Sequence, residues 1–239
     1  LPQHDGLTYV GLTDEPLGTD VIPDVPEPAE GEVGFLLDVV SSVLAEPLSR
    51  ADVLGAYAGL RPLLDASGRT ADLSRRHAVL TSPDGVVTVV GGKLTTYRRM
   101  AQDAVDTVVG QRSLAAGPCR TRRLPLVGAG DTRALRATGD PARLPARLID
   151  RYGVEAGAVA ASPDLLAPIS ASIPVTHAEL RWGVEHEGAL DVDDLLDRRT
   201  RIGLVPADRA RAIPAALAAL RSPDGTGPGA TAWGSTGTA

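Results

Sequence analysis

A run of β-branched residues that stops at two glycines and restarts as a helix constrains this chain most. Val86 to Val90 (VVTVV) is apolar and β-branched, the pattern of a buried strand. Gly91 and Gly92 follow, then Lys93, Leu94, Thr95 and Thr96. Tyr97, Met100, Ala101, Ala104, Val105 and Val108 then recur at helical spacing. A strand, a glycine turn and a fresh helix N-terminus bring backbone N–H groups and a positive dipole to one point. Lys93 adds a full charge there. Spacing alone leaves two readings open. The turn holds an anion or an electron-rich ring edge, or it is a tight connection with glycines for geometry and threonines for capping.

Short strands and helices surround this unit. Leu7 to Asp14 (LTYVGLTD) reads as a strand ending in a polar turn, and Val53 to Leu60 as another, closed by Arg61. Ala78 to Thr81 is a third candidate. Between the first two, a helix is expected from Glu30 to Ala45, with Val33, Leu36, Leu37, Val40 and Leu44 on one face. Gly110 to Arg123 is a connector with Pro118 and a basic cluster, Arg120, Arg122 and Arg123, that reads as solvated linker. From about residue 129 the chain turns helical, with helices expected over Pro145–Tyr152, Thr176–Glu187, Val192–Ile202 and Ala207–Arg221, the last containing Pro214. Acidic residues on one of these helices precede Arg198-Arg199-Thr200-Arg201, a pattern suited to ion pairs that pin two helices together. The tail beyond Ser222 is rich in Gly, Thr and Pro and reads as disordered.

Composition narrows the function classes. A 239-residue chain with 43% hydrophobic residues can bury a substantial core. One cysteine, Cys119, gives no intrachain disulfide framework and no thiolate cluster. His4, His77, His177 and His186 show no metal-ligand spacing, so no metal is expected, and His186 reads as part of a solvated helix face. A net charge of −6 argues against nonspecific nucleic-acid binding. No apolar run approaches the roughly twenty residues that span a bilayer, and no signal peptide is visible.

Three segments now combine. Ala58-Gly59-Leu60-Arg61-Pro62-Leu63, then Leu73-Ser74-Arg75-Arg76-His77, then Gly91-Gly92-Lys93-Leu94-Thr95-Thr96-Tyr97-Arg98 follow Leu7–Asp14 in order. Together they resemble the C-terminal half of the FAD-dependent glycerol-3-phosphate dehydrogenases, members of the D-amino-acid-oxidase-like flavoproteins. Leu12 departs from that family, which usually has threonine there. The likeness continues to about Leu220 through Asp193-Asp194-Leu195-Leu196-Asp197 and the Arg-Arg-Thr-Arg run.

The resemblance implies an α/β (α+β) fragment of the FAD/substrate domain over 1–112, a linker over 113–128, an all-α cap domain over 129–222 and a disordered tail over 223–239. It implies that Arg61, Arg75 and Lys93 contact the substrate, and that Gly91, Gly92, Lys93, Leu94 and Thr95 border the flavin. The family's strand–GxGxxG–helix unit for FAD does not occur in these residues, so the chain reads as a fragment whose general base lies upstream. His77 tempts as a base, but the family alternates tyrosine and histidine there. The implied activity is oxidation of sn-glycerol 3-phosphate to dihydroxyacetone phosphate by hydride transfer to FAD. Quinone is the implied electron acceptor, with peripheral contact at the inner face of the cell membrane and a homodimer as a further expectation. The alternative is a non-catalytic remnant that only binds a partner or an anion.

Overall fold

A computed structural model describes residues 3–4, 7–17, 22–61, 77–138 and 144–221. Arg75 and the tail over 223–239 lie outside the described residues. The chain divides into two compact units, each drawn from separate stretches of sequence. One comprises Leu1–Gly11, Pro28–Tyr57 and Leu126–Ala239, and the other Leu12–Glu27 and Ala58–Pro125. They are termed here the helical unit and the hairpin unit.

The helical unit opens with β1 (Gln3–His4) and β2 (Leu7–Thr8), which pair antiparallel, followed by α1 (Glu30–Ser41). Pairing stops at Thr8, so the strand expected to Asp14 is shorter than its sequence suggests. Helix α1 buries Val33 and Val40 but leaves Phe35 and Val39 exposed. It ends at Ser41, short of the expected Ala45, because the Ser41 hydroxyl accepts from the Leu48 amide at 2.9 Å and turns the chain. The strand expected over 53–60 does not form. Its backbone lies so close to Leu204 at Gly55 that a Cβ there would overlap the Leu204 carbonyl oxygen. Packing of backbone against backbone replaces sheet pairing, and the residues stay extended without a ladder partner.

The C-terminal region is mostly helical: α3 (Arg133–Thr138), α4 (Ala146–Tyr152), α5 (Ala156–Val159), α6 (His177–His186) and α7 (Pro206–Leu220). It is not all-α. Two short strands, β5 (Pro168–Ser170) and β6 (Ile173–Thr176), form an antiparallel hairpin. Its apolar residues Ile173 and Val175 are 2% exposed, and burial of that face is what drives the pairing. The helix expected over 192–202 contracts to a π-helical turn at Asp194–Arg199. Thr200 closes it by donating its hydroxyl to the Leu195 carbonyl at 2.7 Å.

Two apolar clusters hold this unit together. Leu180, Leu195, Leu196, Ile202, Ala212 and Ala216 pack with the β5–β6 hairpin. Leu148, Ile149, Tyr152, Ala156, Val159 and Ala178 form the second cluster, on which Trp182 packs. Between α4 and α6 sits a buried carboxylate. Glu179, fully buried at its side chain, accepts from Arg147 Nη1 at 2.5 Å and lies 3.6 Å from Arg151 Nε. It also accepts from the Thr176 amide at 2.8 Å, while the Thr176 hydroxyl accepts from the Glu179 amide, completing a capping box. Burial pushes the neighbouring Tyr152 hydroxyl up to about 12, and the negative charge of Glu179 adds to the effect.

Ion pairs do join these segments, but Arg209 of α7 supplies the long-range arm that was expected from the Arg-Arg-Thr-Arg run. Arg209 of α7 reaches Asp193 at 2.5 Å and Asp197 at 2.9 Å. Within the Arg-Arg-Thr-Arg run, Arg198 pairs locally with Asp194 at 2.8 Å, and Arg199 donates to the Glu187 carbonyl at 2.9 Å. Arg201 lies over the Tyr9 ring at 5.9 Å and adopts a left-handed conformation with φ of 59°.

The hairpin unit contains β3 (His77–Thr81), β4 (Val87–Gly91) and α2 (Tyr97–Gln111). The strands pair antiparallel in the register His77↔Gly91 through Thr81↔Val87. Ser82 shapes the turn by accepting from the Val86 amide at 3.1 Å and donating to Asp84 at 2.5 Å. None of its described apolar residues is fully buried, and Leu80, Val86, Leu94 and Val105 are mostly exposed.

Candidate substrate and cofactor site

The site begins where β4 runs out. Gly91 and Gly92 take φ of 75° and 83°, a left-handed conformation that L-residues with side chains rarely adopt. Gly92 is demanded twice over. A Cβ there would stand 2.5 Å from the Met100 sulfur and 3.2 Å from the His77 Cβ, so the glycine lets α2 settle on the hairpin. Lys93 then returns to extended backbone, and a single 3₁₀ turn, Leu94–Thr96, leads into α2. Thr96 caps this entry by accepting from the Lys93 amide at 3.1 Å and donating to the Lys93 carbonyl at 2.9 Å.

This arrangement places the helix entry at the surface. Lys93, Leu94 and Thr95 are exposed, with Leu94 at 87%. The Lys93, Thr96 and Tyr97 amides are engaged within the turn, which leaves those of Leu94 and Thr95 at the helix entry next to exposed Lys93. Two N–H donors with a cation next in the chain suit an anionic or electron-rich group.

Two polar links lash β3 to α2 and keep the turn in place. His77 Nε2 lies 2.9 Å from Asp103 Oδ2, and Gln111 donates to the Thr81 hydroxyl at 2.7 Å. The spacing closes geometrically: eight helical residues rise about 12 Å and four strand residues about 13 Å. Partial burial pushes the Asp103 carboxyl up, but the His77 hydrogen bond and the Arg99 guanidinium, 3.0 Å away, outweigh it and hold the carboxyl below its ordinary range. His77 thus has a carboxylate partner and a packing role against Gly92, which sequence reasoning did not anticipate.

Arg61 lies in the same unit, outside any helix or strand, and forms an ion pair with Asp14. Among the described residues Gly91, Gly92, Lys93, Leu94 and Thr95 come together in one turn, whereas Arg61 pairs with Asp14 and with no residue of that turn. Elsewhere, His186 stacks on Trp182 with ring centroids 3.9 Å apart. No group of three or more His, Cys, Asp or Glu among the described residues is placed to hold a metal ion.

Residues 119–223 match the family described as the C-terminal domain of alpha-glycerophosphate oxidase. Glycerol-3-phosphate dehydrogenase 1 of Mycobacterium bovis is 52% identical over 224 residues, covering 90% of this chain and 43% of that protein. Over most of its length this chain is similar to part of the glycerol-3-phosphate dehydrogenases. Glycerol-3-phosphate dehydrogenase of Mycobacterium leprae is 38% identical over 230 residues, 90% of this chain and 38% of that protein. The mitochondrial glycerol-3-phosphate dehydrogenase of Mesocricetus auratus is 34% identical over 229 residues, 88% of this chain and 31% of that protein. The chain thus spans less than half the length of these dehydrogenases.

Proposed function

We propose that these residues form the substrate-side portion of an FAD-dependent glycerol-3-phosphate dehydrogenase that oxidises sn-glycerol 3-phosphate to dihydroxyacetone phosphate. The observation that carries the reading is the Gly91–Thr96 turn, with Lys93 exposed beside a helix entry, in a chain 52% identical to a protein named for this activity. Bound FAD would supply the acceptor for the hydride of the substrate carbon.

The chain's own residues then do the following. Gly91 and Gly92 bring backbone close without a side chain in the way. Lys93, with the amides of Leu94 and Thr95, stabilises negative charge that develops at the ring edge. Arg61 and Arg75 hold the substrate phosphate through charge-assisted hydrogen bonds, each stronger than its neutral counterpart. The hydroxyl proton leaves to a group outside these residues. The resemblance further supports quinone as electron acceptor, peripheral contact with the inner face of the cell membrane, and a homodimer.

The test uses the full-length enzyme carrying these residues. Lys93→Ala should lower kcat with glycerol 3-phosphate by roughly a hundredfold, the scale of one lost electrostatic donor in a reacting site. Lys93→Arg should recover part of it. Unchanged kcat and KM in Lys93→Ala, with full flavin content, would remove Lys93 from the site.

A further inference from the structure

We propose that Asp14 is a positioning residue, which sets the Arg61 guanidinium for the phosphate of the substrate. The inference rests on the reading of Arg61 as a phosphate ligand and adds the group through which that ligand is aimed.

The backbone of residues 53–61 belongs to no helix or strand. An arginine on such a segment samples many rotamers, and immobilising it on a ligand costs side-chain entropy. The structure meets that cost before any ligand arrives. Asp14, brought from far earlier in the chain, accepts from Arg61 Nη1. Among the described residues no other acceptor engages this guanidinium. A guanidinium carries five N–H donors in a planar fork, so pairing at Nη1 leaves the Nε and Nη2 side for a second anion. A carboxylate, a guanidinium and a phosphate then lie in series, with the cation between two anions.

The exposure of the pair favours this role over a structural one. The Arg61 side chain is 37% exposed and that of Asp14 24%. An ion pair so open to water contributes little to folding. It can still fix the direction of a long side chain, because direction needs one good hydrogen bond and not a large free energy. Asp14 also opposes phosphate by its charge, so removing it would tighten binding if electrostatics alone mattered. The two roles therefore predict opposite signs, which makes the inference sharp.

The test compares Asp14→Asn, Asp14→Glu, Arg61→Ala and the Asp14→Asn/Arg61→Ala double variant in the full-length enzyme. KM and kcat for sn-glycerol 3-phosphate are measured with the inhibition constant of inorganic phosphate. Asp14→Asn should raise KM and that inhibition constant together by roughly five- to tenfold, with kcat changing less, as expected for a misdirected ligand of the non-reacting end. Asp14→Glu, which keeps the charge on a longer arm, should fall between Asp14→Asn and the parent. Asp14→Asn should add nothing in the Arg61→Ala background. Tighter phosphate binding in Asp14→Asn, or an equal loss with and without Arg61, overturns the positioning role. If Arg61→Ala itself leaves KM and the inhibition constant unchanged, the assignment of Arg61 fails, a result distinct from failure at Asp14 alone.

Discussion

Replacing Glu179 with alanine is the perturbation whose magnitude the structure specifies best. The carboxylate serves two partners: it closes the capping box of α6 and neutralises Arg147, with Arg151 just beyond. Its removal leaves the Thr176 amide without its acceptor in a residue only 5% exposed, a penalty of about 1–2 kcal/mol. Breaking a fully buried ion pair from one side costs about 3–5 kcal/mol, but the Arg147 and Arg151 side chains are 22% and 21% exposed and can turn toward water. That relief halves the ionic share, and about 3 kcal/mol remains in total. Glu179→Gln keeps an acceptor for the Thr176 amide and loses only charge, so it should cost about half as much. Urea unfolding followed by tryptophan fluorescence suits the case, because Trp182 packs on the cluster that α6 and α4 share. Arg147→Ala in the Glu179→Ala background should cost far less than Arg147→Ala alone, since the pair acts as one unit. A loss below about 1 kcal/mol for Glu179→Ala, or equal losses for alanine and glutamine, would refute the two-part account.

Further outcomes follow from the same geometry. Gly92→Ala should disrupt the hairpin unit through both its φ and the Met100 contact, costing roughly 2 kcal/mol or more, and amide exchange in β4 and α2 would report it. Because Tyr152 keeps its proton to about 12 when folded while an unfolded tyrosine loses it near 10, the unfolded chain binds fewer protons between those values. Stability should therefore fall by on the order of 2–3 kcal/mol as pH rises through that window, and Tyr152→Phe should abolish the pH-linked loss in unfolding titrations. At acid pH the sign reverses: Asp103 titrates below its ordinary range, so its contribution is present above that range and lost as pH falls through it. Exchange protection of β3 at pH 6 and pH 3 should show the difference, and Asp103→Asn should be insensitive.

The strand expected over Val86–Val90 and found at Val87–Gly91, the glycine turn and the following helix were legible because each rests on local chemistry: β-branching, positive φ and a helical apolar period. The burial expected of that strand is absent, with Val86 and Val89 exposed. The helix start at Thr176 was equally visible, whereas the capping box that Thr176 makes with Glu179 emerged only in the structure. The β5–β6 hairpin was not legible, since three- and four-residue strands give too short a run to separate from a helical context. The 53–60 segment misled for the opposite reason. Its residues suit a strand, but ladder formation depends on a partner, and Gly55 instead lies against the Leu204 backbone. Pairings such as Asp14 with Arg61 and Glu179 with Arg147 join distant residues, and side-chain type alone does not choose among many acids and arginines.

The hairpin unit carries Lys93 and Arg61, yet every fully buried apolar residue described in the chain belongs to the helical unit. The site is thus borne by the portion with the least internal cohesion, and its shape is coupled by mass action to whatever covers it. A ligand that binds only the ordered arrangement adds RT ln(1 + [L]/Kd) to the stability of that arrangement. Its apparent affinity is in turn diminished by the fraction of molecules not yet ordered. Substitutions on the far side of α2, remote from Lys93, would then change ligand occupancy without touching the ligand.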